Sequence, residues 1–173
     1  MRISSFCFSP AASEETEPAF IHFDAASLPM VEDGGIRARI VAGSAFGRAS
    51  PVPTLSEWFY AEVILEAGAC VPLDPEHEER AIYVAEGEIE VAGEKFAAPR
   101  LLVFRPGDRV AVTAVGRARL MFLGGDALEG PRYIWWNFLS SRRERIEEAK
   151  EQWKTGRFRP VPGETEFIPL PET

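Results

Sequence analysis

Between Ile36 and Leu123 the chain runs in short apolar alternations, each closed by turn residues, and this pattern constrains the fold more than any other feature. Ile36-Arg-Ala-Arg-Ile40, Trp58-Phe-Tyr-Ala-Glu-Val-Ile-Leu65, Ala81-Ile-Tyr-Val-Ala85 and Glu88-Ile-Glu-Val91 have the period of two that sends successive side chains to opposite faces of a sheet. Leu101 to Phe104, Val110 to Val115 and Ala118 to Leu123 continue the series. Between them lie Gly34-Gly35, Glu66-Ala-Gly68, Glu86-Gly87, Ala92-Gly93, Pro106-Gly107-Asp108 and Gly124-Gly125, whose glycines and proline supply the backbone angles that tight turns need. About eight short strands within about 90 residues predict an all-β jelly-roll sandwich or barrel. With 173 residues and 46% hydrophobic content, one core is expected.

Outside the strand region the pattern changes. Ser141 to Thr155 reads as one C-terminal α-helix: Ser141-Arg-Arg-Glu144 is a capping-box sequence and Gly156 suits the left-handed residue that ends a helix. Ile146, Ala149 and Trp153 form a narrow stripe, which predicts a helix lying on the outside of the sandwich. Beyond it an extended tail carries Phe158, Phe167, Ile168 and Leu170 between prolines. At the other end, Ile3 to Phe8 is a short apolar piece, and Ala11 to Pro29 argues against a regular element. The expected organisation is an arm over 1–33, a β-sandwich over 34–139, and a helix with a docking tail over 140–173 belonging to the same domain.

A formal net charge of −8 and a pI near 4.9 repel polyanions, so no direct nucleic-acid partner and no anionic membrane surface is expected. No apolar run approaches the roughly 20 residues of a membrane span. Cys7 and Cys70 form no metal-binding or redox spacing and are expected to be buried small hydrophobes. Nothing ahead of Cys7 reads as a signal peptide, so the expected location is the cytoplasm.

Three stretches carry a family resemblance. Gly130-Pro-Arg-Tyr-Ile-Trp-Trp-Asn-Phe-Leu-Ser-Ser141, the charged helix through Trp153, and Glu166-Phe-Ile-Pro-Leu-Pro171 resemble the closing segment of bacterial pirins. Upstream, Glu14-Glu-Thr-Glu-Pro-Ala-Phe20, Val41-Ala-Gly-Ser-Ala-Phe-Gly47 and His77-Glu-Glu-Arg-Ala-Ile-Tyr-Val-Ala-Glu-Gly87 are similar to the inter-domain stretch and second cupin of that family. The resemblance implies a cupin fold. It also implies two associated activities, quercetin dioxygenation and transcriptional co-regulation. Pirins are bicupins whose metal, usually iron, is held in the first barrel by three histidines and a glutamate, and this chain resembles the second half.

An oxygenase site of this kind needs several imidazoles and a carboxylate on neighbouring strands. The general cupin pattern puts an HxH pair and then a Glu six or seven residues ahead of the glycine matched by Gly87. A gap of six places Arg80 at the carboxylate position with Asp74 or Glu76 where imidazoles belong; a gap of seven places Glu79 there, with Leu73 and Pro75. Neither register contains a histidine, and Leu101 to Leu123 supplies none from the second motif. No metal, cofactor or catalytic residue is therefore assigned. His77 with Glu76, Glu78 and Glu79 reads as a solvated acidic loop, and His22 as a surface side chain.

The polar groups able to point into a barrel mouth are Tyr60, Glu62, His77, Glu79, Arg80 and Tyr83, a candidate pocket for a small organic ligand. Trp135 and Trp136 are expected on opposite faces, one packed inward and the other covered by the helix or tail. No nucleophile elbow or phosphate loop is present. The expectation is a non-catalytic binding or protein-interaction module, with a homodimer or a partner protein engaged through the tail. The alternative is a quercetin 2,3-dioxygenase-like metal-dependent oxygenase working with a separate metal-bearing cupin domain.

Overall fold

The computed structural model of the protein describes residues 10–17, 21–73, 75–159, 163 and 166–171. In chain order these form β1 (Met30–Asp33), β2 (Ile36–Ala42), β3 (Ser44–Ala45), β4 (Arg48–Ala49), β5 (Trp58–Leu65), β6 (Cys70–Leu73) and β7 (Glu79–Glu86). Then follow β8 (Glu88–Val91), β9 (Glu94–Ala97), β10 (Arg100–Phe104), β11 (Val110–Ala114), β12 (Ala118–Gly125), β13 (Tyr133–Trp135), β14 (Phe138–Ser140) and α1 (Arg143–Lys154). Two compact units result: residues 17–127, and residues from 128 onward together with the described residues ahead of 17.

The first unit is an antiparallel sandwich. One sheet has the order β1-β2-β5-β12-β7-β10 and the other β6-β11-β8-β9. The alternation in the sequence decides which residues lie between them. Along β5 burial alternates at every residue, with Phe59, Ala61, Val63 and Leu65 inward. β12 runs beside it from Trp58↔Gly125 to Leu65↔Ala118, which brings Leu120 and Phe122 to the same side. Ile82 and Val84 of β7, Ile89 of β8 and Val112 of β11 complete the core, each at 0% exposure. Burial of this kind contributes roughly 1.5 to 3 kcal/mol per large aliphatic or aromatic side chain.

Each strand read from the alternation is present, and the differences fall where alternation is short. Met30–Asp33, read as the end of the arm, is an edge strand paired with β2 across Gly34-Gly35. Cys70 is exposed, against the expectation of burial, because it has the outward parity of β6 while Val71 and Leu73 point in. Among the described residues of Ala11 to Pro29 there are only short 3-10 turns, at Ala11–Ser13 and Ala25–Ser27. The Ile3 to Phe8 piece, Cys7 included, lies outside the described residues.

In the second unit, β13 and β14 form a two-residue hairpin packed on α1. The helix begins at Arg143 with Arg142 at the N-cap position, one residue later than the capping-box sequence suggests, and has no side-chain cap. The reason is that the Ser141 hydroxyl donates to Glu14 Oε2 at 3.0 Å and does not turn toward the first helical amide. Gly156 ends the helix with φ +65°, as its position predicts. Trp135 and Trp136 do not point to opposite faces: Trp136 sits in the hairpin turn with φ +50°, so strand alternation stops there. Both rings join a cluster around Phe138, with Trp136 edge-on at 5.7 Å and Phe158 stacked at 5.8 Å. The tail finds a surface in its own chain. Phe167 stacks on Trp153 at 5.7 Å, and the Trp153 indole N–H donates to the Ile168 carbonyl at 2.8 Å.

Candidate functional site

In the sandwich unit the inward rows decide what chemistry the interior can hold. On β7 the inward side chains are Arg80, Ile82 and Val84, while Glu79 and Tyr83 point outward. Of the two cupin registers, the six-residue gap is thus the one facing the interior, and it presents a guanidinium. Arg80 is 1% exposed and donates from Nη1 to the Asp108 carbonyl at 2.7 Å and from Nη2 to the Arg105 carbonyl at 2.6 Å. A fixed cation among aliphatic side chains opposes binding of a second cation. Among the described residues, no three His, Cys, Asp or Glu side chains stand close enough together to hold a metal ion. The residues present do not fit the iron of a cupin oxygenase.

The mouth of the sandwich does form a cavity, of about 550 Å³. Its floor is aromatic and aliphatic: Phe59 from β5, Phe122 from β12, Leu73 from β6 and Phe46 from the β3–β4 turn. Phe46 and Phe122 lie 6.0 Å apart between centroids, and the His77 ring tilts by 30° over Phe59 at 5.1 Å. Among the described residues, Arg48, Glu76 and His77 are the charged or titratable side chains on its lining. His77 is 17% exposed, and its Nδ1 stands 3.8 Å from Asp126 Oδ1.

The β3–β4 hairpin that walls this cavity is wedged at its base. Gly43 has φ +67°, and a Cβ there would stand 1.7 Å from the Trp58 carbonyl oxygen, so only glycine lets the strand approach β5. Ser50 fixes the exit by donating from its hydroxyl to the Val41 carbonyl at 2.8 Å and from its amide to Gly43. Phe46, at the tip, has φ +53°, a conformation bulky side chains avoid.

Of the six side chains read from the sequence as pocket groups, the structure brings only His77 to this cavity. Tyr60 and Glu62 have the outward parity of β5. Glu62 accepts from Arg39 Nη1 at 3.2 Å and from Arg119 Nε at 2.8 Å, closing a cross-strand charge ladder on the outer face. Burial, and then the Glu62 carboxylate, push the Tyr60 phenol above its usual range. Glu79 is exposed, Arg80 is taken up by the β10–β11 turn, and Tyr83 is 40% exposed on the outer face. A parity count would have separated Tyr60, Glu62, Glu79 and Tyr83 from the interior. Phe46, Arg48, Phe59 and Phe122 were missed. Phe46-Gly47 lacks the usual turn residue at its first position, so the hairpin signal is weak.

His22, 72% exposed, lies beside Asp24 at 3.2 Å and outside the cavity.

Residues 60–159 match the family described as the Pirin C-terminal cupin domain. A pirin-like protein of Caulobacter vibrioides is 46% identical over 165 residues, which is 94% of this chain and 57% of that protein. Pirin-1 of Arabidopsis thaliana is 24% identical over 156 residues, 86% of this chain and 54% of its own length. The chain spans little more than half the length of these relatives. Among solved structures, the 1.78 Å crystal structure of quercetin 2,3-dioxygenase from Acinetobacter baumannii superposes with a TM-score of 0.83 at 24% identity, covering 95% of this chain and 56% of that one.

Proposed function

The chain belongs to the pirin family through its C-terminal cupin domain, and from that premise we propose that it is a non-catalytic binding module whose barrel mouth takes a small organic ligand. The observation that carries this reading is the cavity of about 550 Å³, lined by Phe46, Phe59, Leu73 and Phe122 with a few polar groups on its rim. That is the composition of a small-molecule site, where apolar walls supply affinity and sparse polar groups orient the ligand. The inward guanidinium of Arg80 supports the absence of metal chemistry from the module. The tail adds a protein-facing role. Phe167 and Ile168 are 61% and 56% exposed, which supports engagement of a second copy or another protein. We assign the module to the cytoplasm, a reading supported by the exposed free thiol of Cys70.

Metal analysis and turnover test the reading together. Protein purified without added metal is expected to carry no stoichiometric iron, nickel, copper or zinc, and to leave quercetin unchanged when iron is supplied. Tight one-to-one metal that disappears in His77→Ala, or a metal-dependent rate above buffer, overturns it. A second reading draws on the quercetin 2,3-dioxygenase of the solved structure: an oxygenase half that works with a separate metal-bearing cupin. Turnover that appears only when such a domain is added supports that reading.

A further inference from the structure

Resting on the binding reading above, we infer that the cavity is a site for an aromatic carboxylate, its ring packed against Phe46, Phe59, Phe122 and His77 and its acid group on Arg48.

The aromatic part follows from the lining. Three phenyl rings and an imidazole face one space, and the His77–Phe59 and Phe46–Phe122 pairs are already spaced and tilted as packed rings are. A flat ring added among them meets π faces and edges, which an aliphatic chain of equal area would not exploit. Phe46 is placed for this at the cost of its own backbone geometry. Held at φ +53° on a hairpin wedged by Gly43, it keeps its ring in the cavity wall where a glycine or asparagine would suit the turn better. Strain of this kind accumulates at ligand clamps.

The acid part follows from charge. Arg48, two residues beyond Phe46 on the same hairpin, is the cavity's permanent cation, and it enters no ion pair among the described residues. The carboxylate of Glu76 lines the cavity too, and Asp126 stands beside His77, so a ligand acid is repelled from that side and attracted to the hairpin. A guanidinium fork also offers the two parallel donors that a carboxylate accepts.

Two dyes with the same ring system separate these contributions in the full chain: 1-anilinonaphthalene-8-sulfonate, which carries a fixed anion, and the uncharged N-phenyl-1-naphthylamine. Both are expected to bind saturably at one site, the anionic dye about fivefold more tightly, and 2-naphthoate is expected to displace it. Arg48→Gln should remove that preference and leave the neutral dye unchanged. Phe46→Gly, which suits the turn and so preserves the hairpin, should weaken both dyes about tenfold. Equal binding of the two dyes with no effect of Arg48→Gln overturns the carboxylate inference and leaves the binding reading standing. Failure of both dyes to bind overturns the binding reading itself. Binding that survives both Phe46→Gly and the cavity-filling Ser44→Trp places the dyes elsewhere and overturns the site.

Discussion

Glu14 and Ser141, 127 residues apart, are joined twice: the Glu14 carboxylate accepts the Ser141 amide at 2.7 Å and the Ser141 hydroxyl at 3.0 Å. The Ser140 hydroxyl adds a third bond at 3.0 Å, and Arg132 Nε stands 3.8 Å away. Burial on its own would raise the Glu14 pKa. The bonds from Ser141 and Ser140 and the charge of Arg132 outweigh it, and the carboxyl is held below its ordinary value.

Glu14→Ala is therefore expected to destabilise the C-terminal unit by about 2 kcal/mol at neutral pH, since it leaves charge-assisted bonds unmade. The sign of the pH dependence follows from the lowered folded pKa. The stabilisation is fully present above the unfolded value near 4.5 and is lost as pH falls through the folded value. Urea unfolding followed by tryptophan fluorescence should show wild type and variant converging in acid. A constant gap from neutral pH to about pH 3 would contradict this.

Replacing Arg80 by methionine keeps bulk in the interior but strips the Arg105 and Asp108 carbonyls of their donors. A loss of about 2 to 4 kcal/mol is expected, the range for breaking a buried charged hydrogen-bond pair. Denaturant unfolding measures it, and a variant as stable as wild type would show that the β10–β11 turn holds its shape unaided.

Gly43→Ala and Gly47→Ala, four residues apart, should differ sharply. Both residues have positive φ, but a Cβ at Gly43 collides with the Trp58 carbonyl whereas one at Gly47 meets nothing within 4 Å. The second is expected to cost about 1 kcal/mol and the first several times more, with the β3–β4 hairpin lifted from β5. Thermal unfolding of the two variants compares them directly.

Trp153→Phe preserves most of the ring packing and deletes the indole N–H that holds the Ile168 carbonyl. A loss of about 1 kcal/mol is expected, seen as faster tryptic cleavage after Arg157 with little change in the barrel. Unaltered cleavage would mean that Phe167 stacking alone keeps the tail in place.

The strands were legible because each has enough alternating positions to bury one face: Trp58 to Leu65 alternates along all eight of its residues. Ser141 was misread because its sequence neighbours form a capping box, while its actual partner, Glu14, lies a whole barrel earlier in the chain. The site was less legible than the fold. His77 was visible as a histidine near a strand start, but Phe46, Phe59 and Phe122 come from three separate elements, and each alone reads as core. Their meeting at one mouth depends on sheet order, which local patterning does not specify.

At a synthesis rate of about 5–20 residues per second, Glu14 leaves the ribosome roughly 6–25 s before Ser141, the partner it requires. Residues 17–127 have their own core and can close within that interval, since all their strand pairings are internal. The segment around Glu14 cannot. It must wait unsatisfied while the barrel forms, then be joined by Ser140 and Ser141 once they emerge, closing a long loop late at an entropic cost that grows only slowly with its length. The maturing protein thus has an interval in which its barrel is complete and the Glu14 segment is still searching, and a chaperone or an early binding partner has its best access to that segment before Ser141 emerges.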